Sequence, residues 1–468
     1  MFFTKNDIPK LSSLTRNKMS NYFDSRYLTL VGHVQSGKTI EEINYCYSSI
    51  HTYKVPVIFV VRNVTADQLQ LRKRFAEHDI SVALLKDLSD QSVMEIMESL
   101  GVIIMLCNTP QLQRMKTILT GYTKKYHVCI DEVDFSIKSR GLNSPIDMLL
   151  HDIKAGASHI LGATATPFAL FSTQKDLSKV KSITPKKNYR GIEELCVNFV
   201  DSCIIRKEPD FPLCDMAAMD EIYETFLEKV HGVILHTVVK ERENHCMIQK
   251  YLASVYPQMT TIVYNGDGIR VVCRMRDNSP FANKKELNQY RQLVNTYHQI
   301  HEDNFIVHYF QRYSISEVLQ LLLDDHHDHS HISIIAGHLA SRGISFVSTD
   351  YRLHLTDQYF YAAKNTHGEN LLQSLRILGC YNDKTPLTLW CSKSTWDAIG
   401  IQNKVINDLV YGLDNESNWM SKIKEIHITP PKNPLTRPKL CNYSFKQAKK
   451  RFILEIVYDE PELESDSE

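Results

Sequence analysis

The sequence predicts an α/β fold in which parallel sheets are covered by helices. Apolar, strand-like runs alternate with helix-like segments through the first half of the chain. The runs lie at 27–31, 55–61, 101–107, 127–130 and 159–162. Such continuously apolar runs are typical of strands that are buried on both faces, as strands of parallel sheets are. Helix-like stretches such as 65–78 and 92–100 lie between them, which is the order that a parallel sheet requires.

The second half of the chain repeats this alternation. Its strand-like runs lie at 232–236, 261–264, 331–336, 351–355 and 387–391. The basic, polar segment 181–190 contains Pro185 and is typical of a linker between domains. Residues 266–330 are charged and are expected to be an insertion, and the pattern becomes helical after residue 395.

Composition and charge indicate an ordinary globular protein. The 468 residues include 54 Lys and Arg against 54 Asp and Glu, and 43% of all residues are apolar. These values exclude a disordered chain and a strongly basic, histone-like protein. No apolar run approaches the roughly 20 residues of a membrane span, and the first residues lack the apolar core of a secretory signal. The 11 scattered cysteines, without a CxxC pair, favour a reducing intracellular compartment, either cytoplasm or nucleus.

The strongest motif is GHVQSGKT at 32–39, which follows the run 27–31 and precedes a helix-like run. The spacing matches the P-loop pattern G-x(4)-G-K-[ST], in which backbone N–H groups curl around phosphate oxygens. In this motif Lys38 is expected to contact the β- and γ-phosphates and Thr39 to hold Mg²⁺. The residues expected to bind the nucleotide are Gly32, Gln35, Ser36, Gly37, Lys38, Thr39 and Asp131.

Two further motifs follow the strand-like runs 127–130 and 159–162. The first is DEVD at 131–134, where an acid at the end of a strand can hold Mg²⁺ and its neighbour can orient the attacking water. We assign these roles to Asp131 and Glu132, respectively. The second is GATATP at 162–167, whose hydroxyl groups can relay hydrogen bonds above the sheet.

In this order, GHVQSGKT, DEVD and GATATP resemble motifs I, II and III of superfamily 2 helicases and translocases. The second half extends the resemblance with GHLASRGI at 337–344, which is similar to motif V, and with QSLR at 373–376, which is similar to motif VI. The spelling of the first motif and of the S-R-G-I loop most resembles the Z-one-domain ATPases, which are named as endonucleases. The resemblance covers roughly residues 27–395.

The resemblance implies two RecA-like domains in tandem, with ATP and Mg²⁺ in the cleft between them. It divides the chain into a first domain at 1–200, a second domain at 201–400 and a small, mostly helical extension at 401–468. It implies that Thr164 and Thr166 couple the domains. It also implies that Gln373 and Arg376 face the γ-phosphate, where an arginine stabilises the transition state. The residues that it places against the sugar-phosphate backbone are Arg62, Asn63, Thr65 and Thr109.

The sequence departs from the family pattern at the catalytic arginine. Helicase motif VI has two arginines separated by two residues, whereas Gly379 stands three residues after Arg376. The arginine that reaches the phosphate is therefore either Arg376 or Arg342 of the S-R-G-I loop. No adenine-reading glutamine motif precedes the P-loop, so the preference for ATP follows from the resemblance alone.

The C-terminal extension divides its charges into two blocks. Residues 432–451 carry seven basic side chains and no acid, and residues 455–468 carry seven acids and no base. Basic charge with interleaved aromatic residues favours contact with nucleic acid, and the alternative is a solvated face neutralised by the acidic tail.

The motifs predict an ATP-dependent helicase or translocase that moves on nucleic acid, with DNA favoured over RNA. The alternatives are an ATP-hydrolysing clamp or switch that does not unwind, and the motor subunit of a nuclease complex. A nuclease or a replication protein would be its protein partner, and no membrane is involved. No paired-carboxylate nuclease pattern is found, so cleavage by this chain is not predicted.

Overall fold

The computed structural model describes two α/β domains that follow each other along the chain. The described residues are 22–76, 78, 80–134, 144–167, 179–200, 216–237, 242–274, 305–310, 313–324, 329–337, 340, 343–360, 368–381, 384–412, 438–440 and 454–456. Each domain is built on one large sheet. Within these ranges, no helix combines the length and the apolar character needed to cross a membrane.

The first sheet has seven strands. They are β1 (Tyr27–Val31), β2 (Val57–Val61), β3 (Val82–Leu84), β4 (Val102–Leu106), β5 (His127–Ile130), β6 (His159–Thr164) and β7 (Lys179–Ser182). Their order across the sheet is β3-β4-β2-β5-β6-β1-β7, and all pairs are parallel. The carboxyl ends of β1, β6 and β5 therefore lie side by side, which brings together the three motifs that follow these strands.

Helices accompany this sheet along the described part of the first domain. They are α1 (Lys38–His51), α2 (Thr65–Ala76), α3 (Asp90–Glu98), α4 (Thr109–Thr120) and α5 (Pro145–Gly156). The side chains of Ser89, Asn108 and Ser144 cap α3, α4 and α5 by accepting a hydrogen bond from a first-turn N–H group. Strands β1, β2 and β4 are buried along their whole length, which explains their continuously apolar sequence.

The second half forms an eight-stranded sheet and two short ribbons. The strands are β8 (Tyr189–Arg190), β9 (Leu195–Phe199), β10 (Gly232–His236), β11 (Thr260–Asn265), β12 (Gly268–Arg274), β13 (Phe305–Phe310), β14 (His331–Ala336), β15 (Asp357–Tyr359), β16 (Gly379–Cys380), β17 (Leu387–Cys391), β18 (Pro438–Leu440) and β19 (Leu454–Ile456). The sheet order is β13-β12-β11-β14-β10-β15-β17-β9. Strand β12 is antiparallel to both of its neighbours, and the remaining pairs of this sheet are parallel. Strands β8 and β16 pair with each other, as do β18 and β19.

Helices also accompany the second sheet. They are α6 (Met216–Leu227), α7 (Arg242–Val255), α8 (Ile315–Asp324), α9 (Gly368–Gln373) and α10 (Lys393–Gly412). Helix α10 corresponds to the helical pattern predicted after residue 395. Most of the basic block and the acidic tail lie outside the described residues.

Three features of the second sheet differ from the layout expected from the sequence. The strand-like run predicted at 351–355 is not a strand, and β15 begins after it, at Asp357. Strand β9 pairs with β17, so a division at residue 200 separates β9 from the sheet to which it belongs. Residues 266–330, expected to be an insertion, contribute β12 and β13 to the same sheet. The two differences in pairing arise because pairing depends on position in space, whereas the alternation of patterns gives only the order along the chain.

Candidate functional site

The P-loop connects β1 to α1 and has the backbone conformation that the motif requires. Gly37 has a φ of 99° and occupies the N-cap position of α1, where no side chain of the described residues caps the first turn. At Gly32 a Cβ atom would lie 2.8 Å from Ser36 Oγ. The glycines thus permit a tight loop whose backbone N–H groups, with the start of α1, can receive an anion.

Lys38 lies in the first turn of α1 and is buried. Its Nζ donates to the carbonyl oxygen of His33 at 2.9 Å. Burial lowers the pKa of Lys38, while the nearby Glu132 and Asp131 carboxyl groups raise it. The ammonium group therefore lies between the loop and the acids that follow β5, where a phosphate group needs a cation.

Asp131 and Glu132 directly follow β5 and lie close to Lys38. Glu132 has a φ of 51°, an uncommon conformation for a residue other than glycine. Burial, and next the Glu132 carboxylate, raise the pKa of Asp131 to about 7. Acids held this closely lose their mutual repulsion when a divalent cation lies beside them.

Asp134 belongs to the same site, although the sequence analysis gave it no role. It accepts hydrogen bonds from Thr164 Oγ1 at 2.6 Å and from Thr166 Oγ1 at 2.8 Å. Thr164 Oγ1 also accepts from the backbone N–H of Thr166 at 2.9 Å. The last acid of the DEVD motif thus holds both threonines of GATATP, and its place in that motif was the available sequence signal.

Gln373, the last residue of α9, connects the two domains. Its Nε2 donates to Glu132 Oε2 and to Thr166 Oγ1, both at 2.9 Å. All three side chains are buried, with at most 9% of each residue exposed. The structure therefore brings the predicted residues of motifs II, III and VI into one hydrogen-bonded network across the cleft.

Arg376 lies next to this network and is held by backbone oxygens. Its Nη1 donates to the carbonyl oxygen of Gln373 at 3.0 Å and its Nη2 to that of Ile344 at 2.5 Å. Burial lowers the pKa of Arg376 to about 10, while Glu132 raises it. A guanidinium held by neutral oxygens beside Glu132 can turn toward a phosphoryl group.

The S-R-G-I loop reaches the first domain through Gly343. Gly343 has a φ of 72°, and a Cβ atom there would lie 2.5 Å from Arg62 Nη2. The loop therefore needs glycine at its contact with Arg62. Arg342, the alternative catalytic arginine, lies outside the described residues.

Of the four residues expected to contact nucleic acid, Arg62 does not lie on the surface. Its Nε and Nη2 donate to the two carboxylate oxygens of Asp67 at 2.8 and 3.0 Å, and only 7% of the residue is exposed. Burial raises the pKa of Asp67 to about 6, although Arg62 lowers it. The structure thus places Arg62, which is predicted to contact nucleic acid, in a buried ion pair beneath the S-R-G-I loop.

The other three form an exposed polar surface with Asn108. Asn63, Thr65 and Thr109 are exposed at the carboxyl ends of β2 and β4. Asn108 Nδ2 donates to Asn63 Oδ1 at 2.8 Å, which joins the loops after these two strands. The sequence analysis missed Asn108, although it directly precedes Thr109.

Glu42 is a second acid that the sequence analysis did not single out. It lies one turn after Lys38 in α1 and is fully buried, and its carboxyl oxygens have no hydrogen-bond partner among the described residues. Burial, and next Asp131, raise the pKa of Glu42 well above its ordinary value. The spacing of four residues from Lys38 was the signal that could have placed it in the site.

Magnesium would be held by few protein groups. Within the described part of the chain, no three His, Cys, Asp or Glu side chains converge as a metal cluster. Mg²⁺ bound with a nucleotide takes one or two carboxylates and completes its shell with phosphates and water. The groups predicted to hold it are the Thr39 hydroxyl, in the first turn of α1, and the Asp131 carboxylate, directly after β5.

Comparison with solved structures shows the fold. Mss116p bound to ssRNA and AMP-PNP has a TM-score of 0.50 and 13% identity, with 90% of this chain and 79% of that chain covered. The helicase Lhr of Mycobacterium smegmatis bound to ssDNA and AMP-PNP has a TM-score of 0.47 and 11% identity, covering 84% of this chain and 47% of that chain. S. cerevisiae Dbp5 bound to RNA and ADP BeF3 has a TM-score of 0.46 and 10% identity, covering 86% and 90%.

The likeness to Mss116p shows two RecA-like domains in tandem, as the sequence predicts. No family model and no curated protein matches the chain. The expected closeness to the Z-one-domain ATPases therefore has no support. The expected preference for DNA over RNA has no support in these comparisons either.

Proposed function

We propose that this chain is a nucleic-acid-stimulated ATPase of the superfamily 2 helicase and translocase type. The observation that carries the proposal is Gln373, which bridges Glu132 and Thr166 across the cleft. A residue of the second domain thus contacts the acid expected to position water in the first. Hydrolysis would then depend on how the two domains meet, which is what a motor or a switch requires.

The residues of the cleft divide the chemistry among them. The P-loop N–H groups and Lys38 bind the phosphates, while Thr39 and Asp131 hold Mg²⁺. When bound, Mg²⁺ neutralises charge on the phosphate oxygens. Glu132 accepts a hydrogen bond from the attacking water and aligns it with the γ-phosphorus. Arg376 faces the charge that develops on the transferred phosphoryl group.

The exposed surface of Asn63, Thr65, Asn108 and Thr109 suits one sugar-phosphate backbone. Amide and hydroxyl groups at the start of a helix donate hydrogen bonds to phosphate oxygens without reading the bases. Mss116p is described with a single strand and AMP-PNP, which supports single-stranded nucleic acid as the track. The sheet edge that carries this surface also carries the nucleotide site, so the strand and the nucleotide can act on the same domain contact.

The test is the ATPase rate with and without single-stranded DNA, duplex DNA and RNA. We expect stimulation by single strands at least equal to that by duplex, weakening as the salt concentration rises. Thr109→Ala should weaken the apparent affinity for the strand, and Thr120→Ala, at the other end of α4, should not. A strand-displacement assay separates a helicase from a translocase or clamp. An ATPase rate that no nucleic acid changes at low salt would favour the switch. The absence of any ATPase activity would refute the proposal.

A further inference from the structure

Gln35, in the middle of the P-loop, has an unusual backbone conformation. Its φ is 57°, in the left-handed region that favours glycine. The other positions of the motif near it are occupied by glycine or a small residue, namely Gly32, Ser36 and Gly37. The backbone conformation at this position favours glycine. The presence of a long polar side chain here therefore indicates that the side chain has a structural or functional role.

The Gln35 side chain crosses into the second domain. Its Nε2 donates to the carbonyl oxygen of Arg376 at 3.0 Å. At Gly379, whose φ is 152°, a Cβ atom would lie 3.0 Å from Gln35 Oε1. Position 379 is where helicase motif VI would carry its second arginine. Gln35 lies against the space that this arginine side chain would need.

Arg376 is held from several sides, and Gln35 supplies the contact from the P-loop. The backbone N–H of Arg376 donates to Gln358 Oε1 at 2.9 Å, and its guanidinium donates to the carbonyl oxygens of Gln373 and Ile344. Those contacts all come from the second domain. The hydrogen bond from Gln35 to the carbonyl oxygen ties this frame to the loop that binds phosphate.

A neighbouring contact supports the same connection. Tyr189 of β8 donates from its hydroxyl to the carbonyl oxygen of Val34 at 2.9 Å. Tyr189 also pairs with Cys380 of β16 in the small ribbon. Consecutive P-loop residues thus lie against the two strands of the β8–β16 ribbon, Val34 at Tyr189 and Gln35 at Gly379. The second of these strands follows Arg376 in the chain.

We propose that Gln35 is a positioning residue, through which the geometry of the P-loop orients Arg376 of the second domain for phosphoryl transfer. The inference rests on the proposed ATPase function. The backbone of Gln35 is part of the loop proposed to bind phosphate, while its side chain donates to the backbone of Arg376. One residue therefore connects nucleotide binding to the placement of the arginine.

The first test is Gln35→Gly, which keeps the left-handed backbone and removes the side chain. We expect kcat to fall roughly 3- to 10-fold, as for one lost hydrogen bond, with nucleotide affinity within about twofold of the original. Gln35→Glu has the same shape but cannot donate, so it should lower kcat at least as much. Gln91→Glu, on the exposed surface of α3, is the matched control and should change neither kcat nor the nucleotide affinity.

The second test asks whether Gln35 acts through Arg376. In an Arg376→Ala background, Gln35→Gly should cause little further loss of kcat, because the group that it positions is already absent. An equal loss in both backgrounds would overturn the inference. So would weaker nucleotide binding at unchanged kcat, since that result would make Gln35 a ligand contact only.

A third measurement does not need turnover. Amide hydrogen exchange in the segment 376–381 should be faster in Gln35→Gly than in the unchanged chain, and unaltered in Gln91→Glu. Unaltered exchange in Gln35→Gly would overturn the inference even if the chain proved to have no ATPase activity. Failure of the proposed function and failure of this inference therefore give different results.

Discussion

Lys38 and Arg376 are two buried cations that meet the acids of the cleft from opposite domains. Lys38 is held by its own loop and Arg376 by the backbone oxygens of Gln373 and Ile344. Both have a pKa lowered by burial and raised by Glu132. A phosphate placed between them would gain two charge-assisted hydrogen bonds at groups that are already desolvated.

Lys38→Ala should weaken nucleotide binding and turnover together. A hydrogen bond from a charged donor contributes roughly 1.5–3 kcal/mol, so the affinity should fall at least tenfold. Titration with a fluorescent ATP analogue measures this, and Lys86→Ala, an exposed lysine, serves as the control. Equal affinity in Lys38→Ala and Lys86→Ala would contradict the P-loop assignment.

Glu132→Gln should separate binding from hydrolysis. The amide keeps the shape of the side chain and can accept the hydrogen bond from Gln373, but it cannot serve as a base or hold water as a carboxylate does. We expect kcat to fall roughly 10²- to 10⁴-fold, while ATP binding persists. Rapid-quench measurement of phosphate release tests this expectation. Normal turnover would show that Glu132 takes no part in hydrolysis.

At the scale of elements, three strand ends and one short helix build the site. Strand β1 leads into the P-loop, β5 supplies the acids, β6 supplies the threonines and α9 supplies Gln373. Gly162 in β6 permits this packing, because a Cβ atom there would lie 3.1 Å from Val133. The network thus depends on the close approach of the segment after β5 to β6, and on α9 lying over both.

Thr166→Val should loosen the contact between these elements. Valine has nearly the same shape but lacks the hydroxyl that donates to Asp134 and accepts from Gln373. We expect a lower kcat at unchanged nucleotide affinity, and a free energy of unfolding lower by about 1–3 kcal/mol. Urea denaturation and steady-state kinetics test both expectations, with the exposed Thr120→Val as control. Unchanged kcat would show that the network does not transmit domain contact to hydrolysis.

At the scale of the whole molecule, each sheet buries a neutral histidine. Burial lowers the pKa of His127 in β5 and of His236 in β10 to about 3. Both side chains are buried, and His236 Nε2 has no hydrogen-bond partner in the described part of the chain. The unfolded chain takes up protons at these residues near pH 6.5, whereas the folded chain does not.

These two histidines should therefore contribute a loss of stability as the pH falls through 6.5, which the raised pKa values of the buried acids Asp131 and Asp67 oppose in the same window. From about pH 7.5 to about pH 5.5 each histidine should reduce the free energy of unfolding by about 1 kcal/mol, because only the unfolded state is protonated in this window. Urea titrations at the two pH values, in the unchanged chain and in His236→Phe, measure the contribution of His236 by difference. His236→Phe should reduce the dependence on pH, and the exposed His151→Gln should not. An equal dependence in all three chains would contradict the assignment.

Much of the fold was determined by the sequence alone. The apolar runs that became β1, β2, β4, β5 and β6 were located to within about two residues, because a strand buried on both faces needs apolar side chains at every position. The P-loop could also be recognised from the sequence, because its local backbone geometry requires the glycines. The grouping of motifs I, II and III at one edge followed from parallel strands.

Only the tertiary structure decided which of these residues meet. Arg62 is buried with Asp67, Asp134 holds the two threonines, and Gln35 reaches Arg376, 341 residues away in the chain. Local pattern could not show this, since it records whether a residue suits a strand, helix or turn but not which surface later covers it. Burial, charge pairing and the contact between domains are set by how the two sheets dock, and docking depends on shape summed over many distant residues.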